Sequence, residues 1–277
     1  MIKLAAYAKL NLSLSILGLR QDGFHELESI VQTIDLADTI TIEFIGRTLV
    51  VENNLAIPRD DDLVWQAANL VLADKKTKGV RIVVEKNIPA GAGLGGGSSD
   101  AAAVLWALDR FITPSMPKQH LVELARELGS DVPLFLTGGL MTISGRGERV
   151  SAFSEKRPEL FILLVPPIHC VTSAVYAQFD QSVRGRRKRS TPAILGQNEL
   201  EQAALEIYPG LDLYREAITS VEADFSGLSG SGASYFGAFK NPAAAKVAYE
   251  ELTRSCSEAS VHLCSATESG YHLEEGC

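Results

Sequence analysis

The sequence predicts an α+β protein of two domains. Alternating apolar residues mark short strands, amphipathic stretches mark helices, and the two kinds of element follow one another without a strict strand–helix–strand rhythm. The composition also changes near residues 151–158, where Ser-Glu-Lys-Arg-Pro is typical of a linker. We therefore predict one domain at 1–152 and a second at 158–277. A chain of 277 residues is long enough to give each domain its own core.

The first half of the chain is predicted to contain strands, a hairpin and two helices. Leu10, Leu12, Leu14 and Ile16 alternate with polar residues, which indicates a strand with Lys9, Asn11 and Ser13 on its opposite face. Alternation also predicts strands at 39–45 and 80–85, and glycines predict a hairpin at 144–148. A helix is expected at 98–111, opened by three capping residues, Ser98, Ser99 and Asp100. A second helix is expected at 118–128, where Gly129 ends it.

The second half is predicted to alternate strands and helices after the linker. Strands are expected at 160–165, 233–239 and 260–264. Helices are expected from Thr172 onward, between 198 and 220, and from 242 to 254, the last capped by Asn241. The apolar stretch 160–179 has the length of a membrane span, but prolines at 166 and 167 interrupt it, so we predict a buried strand followed by a turn.

Composition and charge exclude several classes of partner. The chain is 46% hydrophobic and 22% charged, as in globular proteins, and its formal net charge of -8 disfavours binding to nucleic acids or acidic membranes. Its 4 cysteines are irregularly spaced, which predicts reduced thiols and a cytoplasmic protein. The net charge does not exclude a small phosphorylated substrate, because an acidic protein can still form a local basic pocket. Both a monomer and a homodimer stay open.

The segment 91–97 holds five glycines in seven residues. Such a run is costly in a helix or strand, but it lets the backbone approach a ligand closely. Because a predicted helix follows, the loop would aim free N–H groups and the positive helix end at one point, which suits a phosphate. A flexible linker is the alternative. The flanking strand and helix favour phosphate binding.

The other common phosphate loops fit this segment poorly. Gly91, Gly93 and Gly96 satisfy G-x-G-x-x-G, but two predicted helices occupy the region where a dinucleotide fold would place its acidic strand end. No G-x-x-x-x-G-K-[ST] sequence occurs, the protein-kinase motifs are missing, and no G-x-S-x-G window suggests a serine hydrolase.

The same segment resembles the ATP loop of the GHMP kinases. That family's loop has the pattern P-x-x-x-G-L-G-S/G-S-S/A, and the residues that match or fill it here are Pro89, Ala90, Gly91, Ala92, Gly93, Leu94, Gly95, Gly96, Gly97, Ser98 and Ser99. An early Lys-Leu-Asn motif at 9–11 and a late glycine-serine loop at 228–234 resemble two further family signatures in the expected order. The resemblance implies a ribosomal protein S5 domain 2-like N-terminal domain and a ferredoxin-like C-terminal domain. It also implies ATP and Mg²⁺ as cofactors.

A catalytic pair is implied by the same resemblance. Gly129-Ser130-Asp131-Val132-Pro133 resembles the family's G-[AS]-D-V-P segment, so Asp131 is the expected acceptor or orienter of a substrate hydroxyl. Lys9 would lie beside it, keep it ionised and offset the charge of the transferred group. Asn11 would contact the substrate, and Ser98 is the expected protein contact of the metal. From the residues alone, a helix-start aspartate and a solvated strand lysine are the alternatives.

The segment 20–27 points to one group of GHMP kinases. Arg-Gln-Asp-Gly-Phe-His-Glu-Leu resembles the R-x-D-G-Y-H-E-L segment of the 4-diphosphocytidyl-2-C-methyl-D-erythritol kinases. The resemblance implies that Phe24 stacks on the cytosine, that His25 recognises its edge through backbone groups, and that Tyr176 forms a second aromatic wall. An ordinary Asp-Gly hairpin turn is the alternative. In the late loop, Gly230, Ser231 and Gly232 are expected to face the substrate.

The implied reaction is ATP-dependent phosphorylation of the substrate's 2-hydroxyl in isoprenoid precursor synthesis by the methylerythritol phosphate route, in a bacterial cytoplasm. Two other readings stay open: a GHMP kinase acting on mevalonate or a homoserine-like alcohol, and a catalytically silent nucleotide-binding protein. The basic run at 184–189 is interpreted as a solvated loop without a catalytic role.

Overall fold

Two antiparallel-dominated sheets and the helices around them make up the protein. The computed structural model describes residues 1–55, 57–73, 79–112, 114–154, 158–182 and 194–274. Within these ranges the chain forms twelve strands and eight helices. The predicted basic run at 184–189 lies outside the described residues.

The larger sheet has eight strands. They are β1 (Ile2–Asn11), β2 (Ser15–Leu19), β3 (His25–Ile45), β4 (Leu49–Asn53), β5 (Gly79–Glu85), β6 (Leu140–Gly145), β7 (Arg149–Ala152) and β12 (Tyr271–Leu273). The main path runs β12-β1-β3-β5-β4, and the long β3 also pairs with β2 and β6. All pairs are antiparallel except β4 with β5. Because β3 is long and is joined by four strands, it connects the segment 20–27, which leads into its start, with the part of the sheet where Ile45 pairs with β5.

Four helices accompany this sheet. They are α1 (Leu63–Ala73), α2 (Gly96–Phe111), α3 (Lys118–Leu128) and the single turn α4 (Val132–Phe135). Helices α1 and α2 pack together, and α2 also lies against β1 and β3. Its alanine-rich inner face, from residue 101 to 108, is fully buried, which lets the helix approach the sheet closely.

The smaller sheet has the order β11-β8-β10-β9 and is antiparallel throughout. Its strands are β8 (Leu160–Val165), β9 (Phe225–Leu228), β10 (Tyr235–Phe239) and β11 (Ser260–Ser265), and its helices are α5 (Thr172–Ser182), α6 (Glu201–Ile207), α7 (Leu211–Ser220) and α8 (Pro242–Ser255). In chain order this is a 4-1-3-2 sheet, the strand order of a ferredoxin-like domain.

An apolar cluster joins the two sheets. Leu10 and Leu12 share one buried cluster with Phe161, Leu163 and Phe236 of the smaller sheet. Consequently both faces of the chain are covered from residue 8 to 16, and the polar face predicted for the first strand is buried rather than solvated. The alternation had indicated which residues share a face, but it does not say what covers each face.

Most predicted elements are present, with shifted limits. The strand expected at 39–45 is the end of β3, and the hairpin and the helix at 118–128 occur as predicted. Asn241 accepts hydrogen bonds from the N–H groups of Ala243 and Ala244, so the predicted cap is confirmed. Sequence reasoning missed α1, β4, β9, β12 and the first part of β3. The single strand expected at residues 10–16 is wrong, because β1 ends at Asn11 and β2 begins at Ser15. Strand β12 lies near the end of the chain but pairs with β1 in the first sheet. The predicted domain boundary at 152–158 therefore does not include this strand, and it stays a prediction.

The helix after the glycine loop begins two residues earlier than predicted. Gly95, at φ 72°, is the residue before its first turn, and no side chain caps it. The expected capping residues Ser99 and Asp100 are instead buried in that turn. Among the described residues, no helix is long and apolar enough to cross a membrane.

Candidate active site

A cavity of about 1110 Å³ collects most of the predicted site residues. Its lining combines the start of β3, the glycine loop, the turn before α4, α5 and the late glycine-serine loop. The predicted residues in that lining are Lys9, Asn11, Phe24, His25, residues 89–98, Asp131, Tyr176, Gly230 and Ser231. Two predicted residues lie behind it. Ser99 is fully buried in α2, and Gly232 faces the Cys170 sulfur.

The glycine loop curves tightly along one side of the cavity. Gly91, Gly93 and Gly95 have φ angles of 65°, 77° and 72°, a left-handed conformation that side chains disfavour. Their surroundings are also too close for a Cβ, which would lie 2.2 Å from the His169 ring at Gly91 and 2.8 Å from the Phe135 ring at Gly95. The loop is therefore an ordered turn leading into α2, where N–H groups at a helix start can hold phosphate oxygens.

The two glycine loops contact each other. Ser229 donates a hydrogen bond from Oγ to the carbonyl oxygen of Gly93 at 3.0 Å, and the N–H of Ser234 donates to the carbonyl oxygen of Ala92 at 3.3 Å. A Cβ at Gly93 would lie 2.1 Å from the carbonyl oxygen of Ser229. Each domain thus supplies one loop, and glycine is needed where the two backbones meet.

Lys9 and Asn11 lie side by side next to these loops. Lys9 Nζ donates a hydrogen bond to Asn11 Oδ1, and Asn11 Nδ2 donates to Ser29 Oγ at 2.8 Å. The backbone N–H of Lys9 donates to the carbonyl oxygen of Leu94 at 3.0 Å, which ties β1 to the glycine loop. Lys9 is only 5% exposed. Burial lowers the pKa of Lys9, and the Asp131 carboxylate acts in the opposite direction.

Asp131 is a second neighbour of the Lys9 ammonium group, besides Asn11. Its Oδ2 is 3.8 Å from Lys9 Nζ, and its side chain is 35% exposed to the cavity. It occupies the position before the first residue of α4 but does not cap that turn with its side chain. The carboxylate is therefore available to a ligand. The structure brings Lys9 and Asp131 together as the resemblance implied.

Aromatic rings form the other end of the cavity. The His25 and Tyr176 rings are 4.8 Å apart at an interplanar angle of 36°, and the Arg146 guanidinium lies 5.0 Å from the centre of the Phe24 ring. Burial, with a smaller contribution from Asp131, raises the pKa of Tyr176 to about 12, so its phenol stays protonated at neutral pH. Phe24 is 49% exposed and can present a ring face to a base.

Comparisons with known proteins agree with this geometry. Two family models match the chain, GHMP kinases N terminal domain at residues 62–139 and GHMP kinases C terminal at residues 187–258. A 4-diphosphocytidyl-2-C-methyl-D-erythritol kinase from Caldicellulosiruptor bescii is 37% identical over 269 residues, which cover 91% of this chain and 94% of that protein. One from Bacillus pumilus is 35% identical over 275 residues, covering 91% and 93%. The chain belongs to the 4-diphosphocytidyl-2-C-methyl-D-erythritol kinase family.

Solved structures support the same family. A crystal structure of 4-(cytidine 5'-diphospho)-2C-methyl-D-erythritol kinase matches with a TM-score of 0.81 and 34% identity, over 96% of this chain and 100% of that chain. A homoserine kinase from Cytophaga hutchinsonii matches with a TM-score of 0.74 over 99% of this chain and 97% of that chain, but at 18% identity it shows the fold alone. The two-domain α+β prediction is confirmed, and membership of this kinase family implies the use of ATP.

Sequence reasoning missed a buried ion cluster behind the glycine loop of this family member. Lys86 Nζ bonds to the carboxylates of Asp38 and Asp100, the latter at 2.6 Å, and all three side chains are at most 7% exposed. Burial raises the pKa of Asp100 to about 7, against the effect of Lys86. For Lys86, burial acts to lower the pKa, but the two carboxylates outweigh it and raise the pKa. Because Asp38 is in β3, Lys86 follows β5 and Asp100 is in the first turns of α2, the cluster connects these three elements next to the glycine loop.

Replacing Lys86 with methionine should destabilise the protein by about 3–5 kcal/mol, because two buried carboxylates would lose their counter-charge. The loss should be larger at pH 8 than at pH 5. Burial raises the folded-state pKa of Asp100. This carboxyl therefore favours folding while it is protonated, and that contribution is lost as the pH rises through the raised pKa. Urea unfolding of the variant and the unchanged protein at both pH values measures this.

A matched control is Lys240→Met. The Lys240 side chain is 73% exposed, and its Nζ forms a long ion pair with Asp224, at 3.8 Å. This change should stay within about 0.5 kcal/mol at either pH. Equal losses at pH 5 and pH 8 in the Lys86 variant would contradict the assigned role of the cluster.

The donor set near the loop is consistent with a phosphate-bound metal. Ser98 lines the cavity in the first turn of α2. Over the described ranges, no group of three or more His, Cys, Asp or Glu side chains is placed to hold a metal ion. A Mg²⁺ ion would therefore take most of its ligands from nucleotide phosphates and water, as this ion commonly does.

Proposed function

We propose that the protein transfers the γ-phosphoryl group of ATP to the 2-hydroxyl of 4-diphosphocytidyl-2-C-methyl-D-erythritol. The carrying observation is the pair Lys9 and Asp131, 3.8 Å apart in the same cavity that the glycine loop lines. The reaction gives the 2-phosphate and ADP. Family membership supports the substrate assignment.

Asp131 acts on the substrate hydroxyl. Its exposed carboxylate either accepts the hydroxyl proton or holds that hydroxyl in line with the phosphoryl group, and both roles suit a reaction that depends mainly on positioning. The buried ammonium group of Lys9 lies beside the carboxylate, 3.8 Å from its Oδ2, and offsets negative charge on the transferred group. Asn11 holds the Lys9 ammonium by a hydrogen bond and is itself oriented by Ser29.

The glycine loop binds the triphosphate. Its three left-handed glycines bring backbone to the cavity surface, and the first turn of α2 adds N–H groups that no side chain caps. Ser98 would contact the Mg²⁺ ion. When bound, that ion neutralises charge on the phosphates. The apolar wall beside the loop, which includes Leu55, Ile57 and Ile88, suits the nucleotide's base.

The cytidine end of the substrate lies against the aromatic rings. Phe24 and Tyr176 line the same end of the cavity on different domains, so a base can stack there, and stacking contributes about 1–3 kcal/mol. His25 lies next to them with its backbone at the start of β3. Gly230 lies near Lys9 and Asn11, and Ser231 follows it in the cavity lining. The reacting hydroxyl would bind between this loop and the Lys9–Asp131 pair.

Two alternatives make different predictions. A kinase for mevalonate or a homoserine-like alcohol has no need of the aromatic end that the segment 20–27 supplies. A silent nucleotide-binding protein has no need of an intact pair of Lys9 and Asp131. Both features line the cavity here, which favours the proposed substrate.

ADP release should be robust with 4-diphosphocytidyl-2-C-methyl-D-erythritol and near background with mevalonate and homoserine. The reason is that only the first substrate can use stacking as an affinity handle. A coupled assay with the three alcohols in parallel measures this. Activity on mevalonate alone would overturn the substrate assignment, and ATP binding without turnover on any of them would favour the silent protein.

A further inference from the structure

Helix α5 carries an acidic cavity residue one turn after Tyr176. Asp180 lies four residues later, so both side chains project from the same face of the helix. Its carboxylate lines the cavity together with Phe24 and His25 and is 45% exposed. None of the features used above explains why an acidic group belongs at the aromatic end.

The two oxygens of this carboxylate differ in their environment. Oδ1 accepts a hydrogen bond from His25 Nε2 at 2.8 Å. Since an ionised carboxylate only accepts, the proton lies on Nε2, and the imidazole is held at 10% exposure. In the part of the chain that the structure describes, Oδ2 accepts no hydrogen bond. One oxygen therefore orients His25, and the other is left as an acceptor facing a half-open cavity.

The remaining carboxylates of the cavity have other neighbours. Asp131 is beside Lys9, Asp100 is in the buried cluster with Lys86, and Asp62 accepts the N–H of Val64 at the start of α1. Asp61 precedes that helix. Asp131 also affects the pKa of Tyr176, but among the described lining residues Asp180 is the carboxylate that is hydrogen-bonded to a ring of the aromatic end, that of His25.

We propose that Asp180 contributes to specificity by accepting a hydrogen bond, through Oδ2, from one hydrogen of the exocyclic amino group of the substrate's cytosine, which leaves the other hydrogen to the His25 backbone. This inference rests on the proposed function. Cytosine carries an amino donor where uracil carries a carbonyl acceptor, and carboxylates accept from the cytosine amino group. A carbonyl at the same place would face the lone pairs and charge of Asp180. The site therefore selects against uridine by repulsion as well as for cytidine by attraction.

Asparagine at position 180 tests the inference because it keeps the shape of the side chain. Its Oδ1 still accepts from His25, while its NH₂ group replaces Oδ2 and turns the acceptor into a donor. The measurement is kcat/KM for the cytidine substrate and for its uridine analogue, 4-diphosphouridyl-2-C-methyl-D-erythritol. Asp180→Asn should lower the cytidine-to-uridine ratio by about 10- to 100-fold, the size expected for one hydrogen bond to a charged group.

A second variant and a control separate the possible roles. Asp180→Ala removes both the attraction and the repulsion, so the ratio should fall, but less than with asparagine. Asp212→Asn, on α7 and paired with Arg215, should leave the ratio unchanged. Equal losses on both substrates in the two Asp180 variants would show that Asp180 only positions His25, and this overturns the inference.

The same experiment separates this inference from the proposed function. An unchanged protein that turns over neither substrate would refute the proposed function itself. If the unchanged protein is active and the Asp180 variants keep its cytidine-to-uridine ratio of kcat/KM, only the specificity role of Asp180 is refuted.

Discussion

Replacing Asp131 with asparagine should lower turnover roughly a hundredfold or more while ATP binding stays near normal. Asparagine has nearly the same shape, and its amide can still hold a substrate hydroxyl, but it neither carries charge nor accepts the proton. The carboxylate is 35% exposed and does not cap α4, so the fold should tolerate the change. Steady-state kinetics gives the turnover, and calorimetry with a non-hydrolysable ATP analogue gives the affinity.

The size of the loss distinguishes the two roles of Asp131. If the residue only orients the hydroxyl, asparagine should keep a substantial part of the activity, whereas loss of a proton acceptor should remove nearly all of it. Asp212→Asn, remote from the cavity, is the matched control and should retain full turnover. Undiminished turnover in the Asp131 variant would remove the residue from the mechanism.

Lys9 shows what the sequence can and cannot predict about this site. Alternation around residues 10–16 placed Lys9 and Asn11 on one face of a strand, and the structure agrees. It does not show that the second domain covers the adjacent face, because that depends on Phe161 and Phe236, far along the chain. The nearness of Lys9 to Asp131 came from resemblance to a family, since no local rule joins positions so distant in sequence.

The buried cluster of Asp38, Lys86 and Asp100 was missed for a related reason. Asp100 follows two serines at a predicted helix start, where local rules favour a capping role. Its actual partner, Lys86, is 14 residues away in sequence, and the second carboxylate bound to Lys86, that of Asp38, is 48 residues from Lys86. Strand β12 was missed because it is only three residues long and its partner, β1, is at the other end of the chain.

The glycine loop was the most predictable part of the site, because glycine is the residue that adopts left-handed backbone conformations most easily. Five glycines in seven residues indicated left-handed turns and close approach, and three of them have φ between 65° and 77°. What composition could not show is the object that each glycine approaches. Gly93 approaches the other domain's loop, whereas Gly97 already lies in α2 with nothing nearer to its Cβ position than a Leu63 methyl at 3.9 Å.

This difference gives a paired prediction for the loop. Gly93→Ala should reduce the free energy of unfolding by about 3 kcal/mol or more, because it combines a left-handed φ with a clash against backbone. The added Cβ would lie 2.1 Å from the carbonyl oxygen of Ser229, and a backbone atom in that position has little freedom to move. The two loops must then separate, so ATP affinity should fall at least about tenfold. Urea unfolding and calorimetry with an ATP analogue measure the two quantities.

Gly97→Ala is the matched control, since it changes the same residue type in the same segment. Alanine is favoured over glycine inside a helix by about 1 kcal/mol, so stability should stay level or rise, and ATP affinity should change by less than about threefold. Both variants keep every backbone N–H of the loop. A difference between them therefore reports the shape of the backbone rather than the number of donors. Gly93→Ala protein that folds and binds ATP as tightly as Gly97→Ala would show that contact between the two glycine loops is not needed to hold the triphosphate.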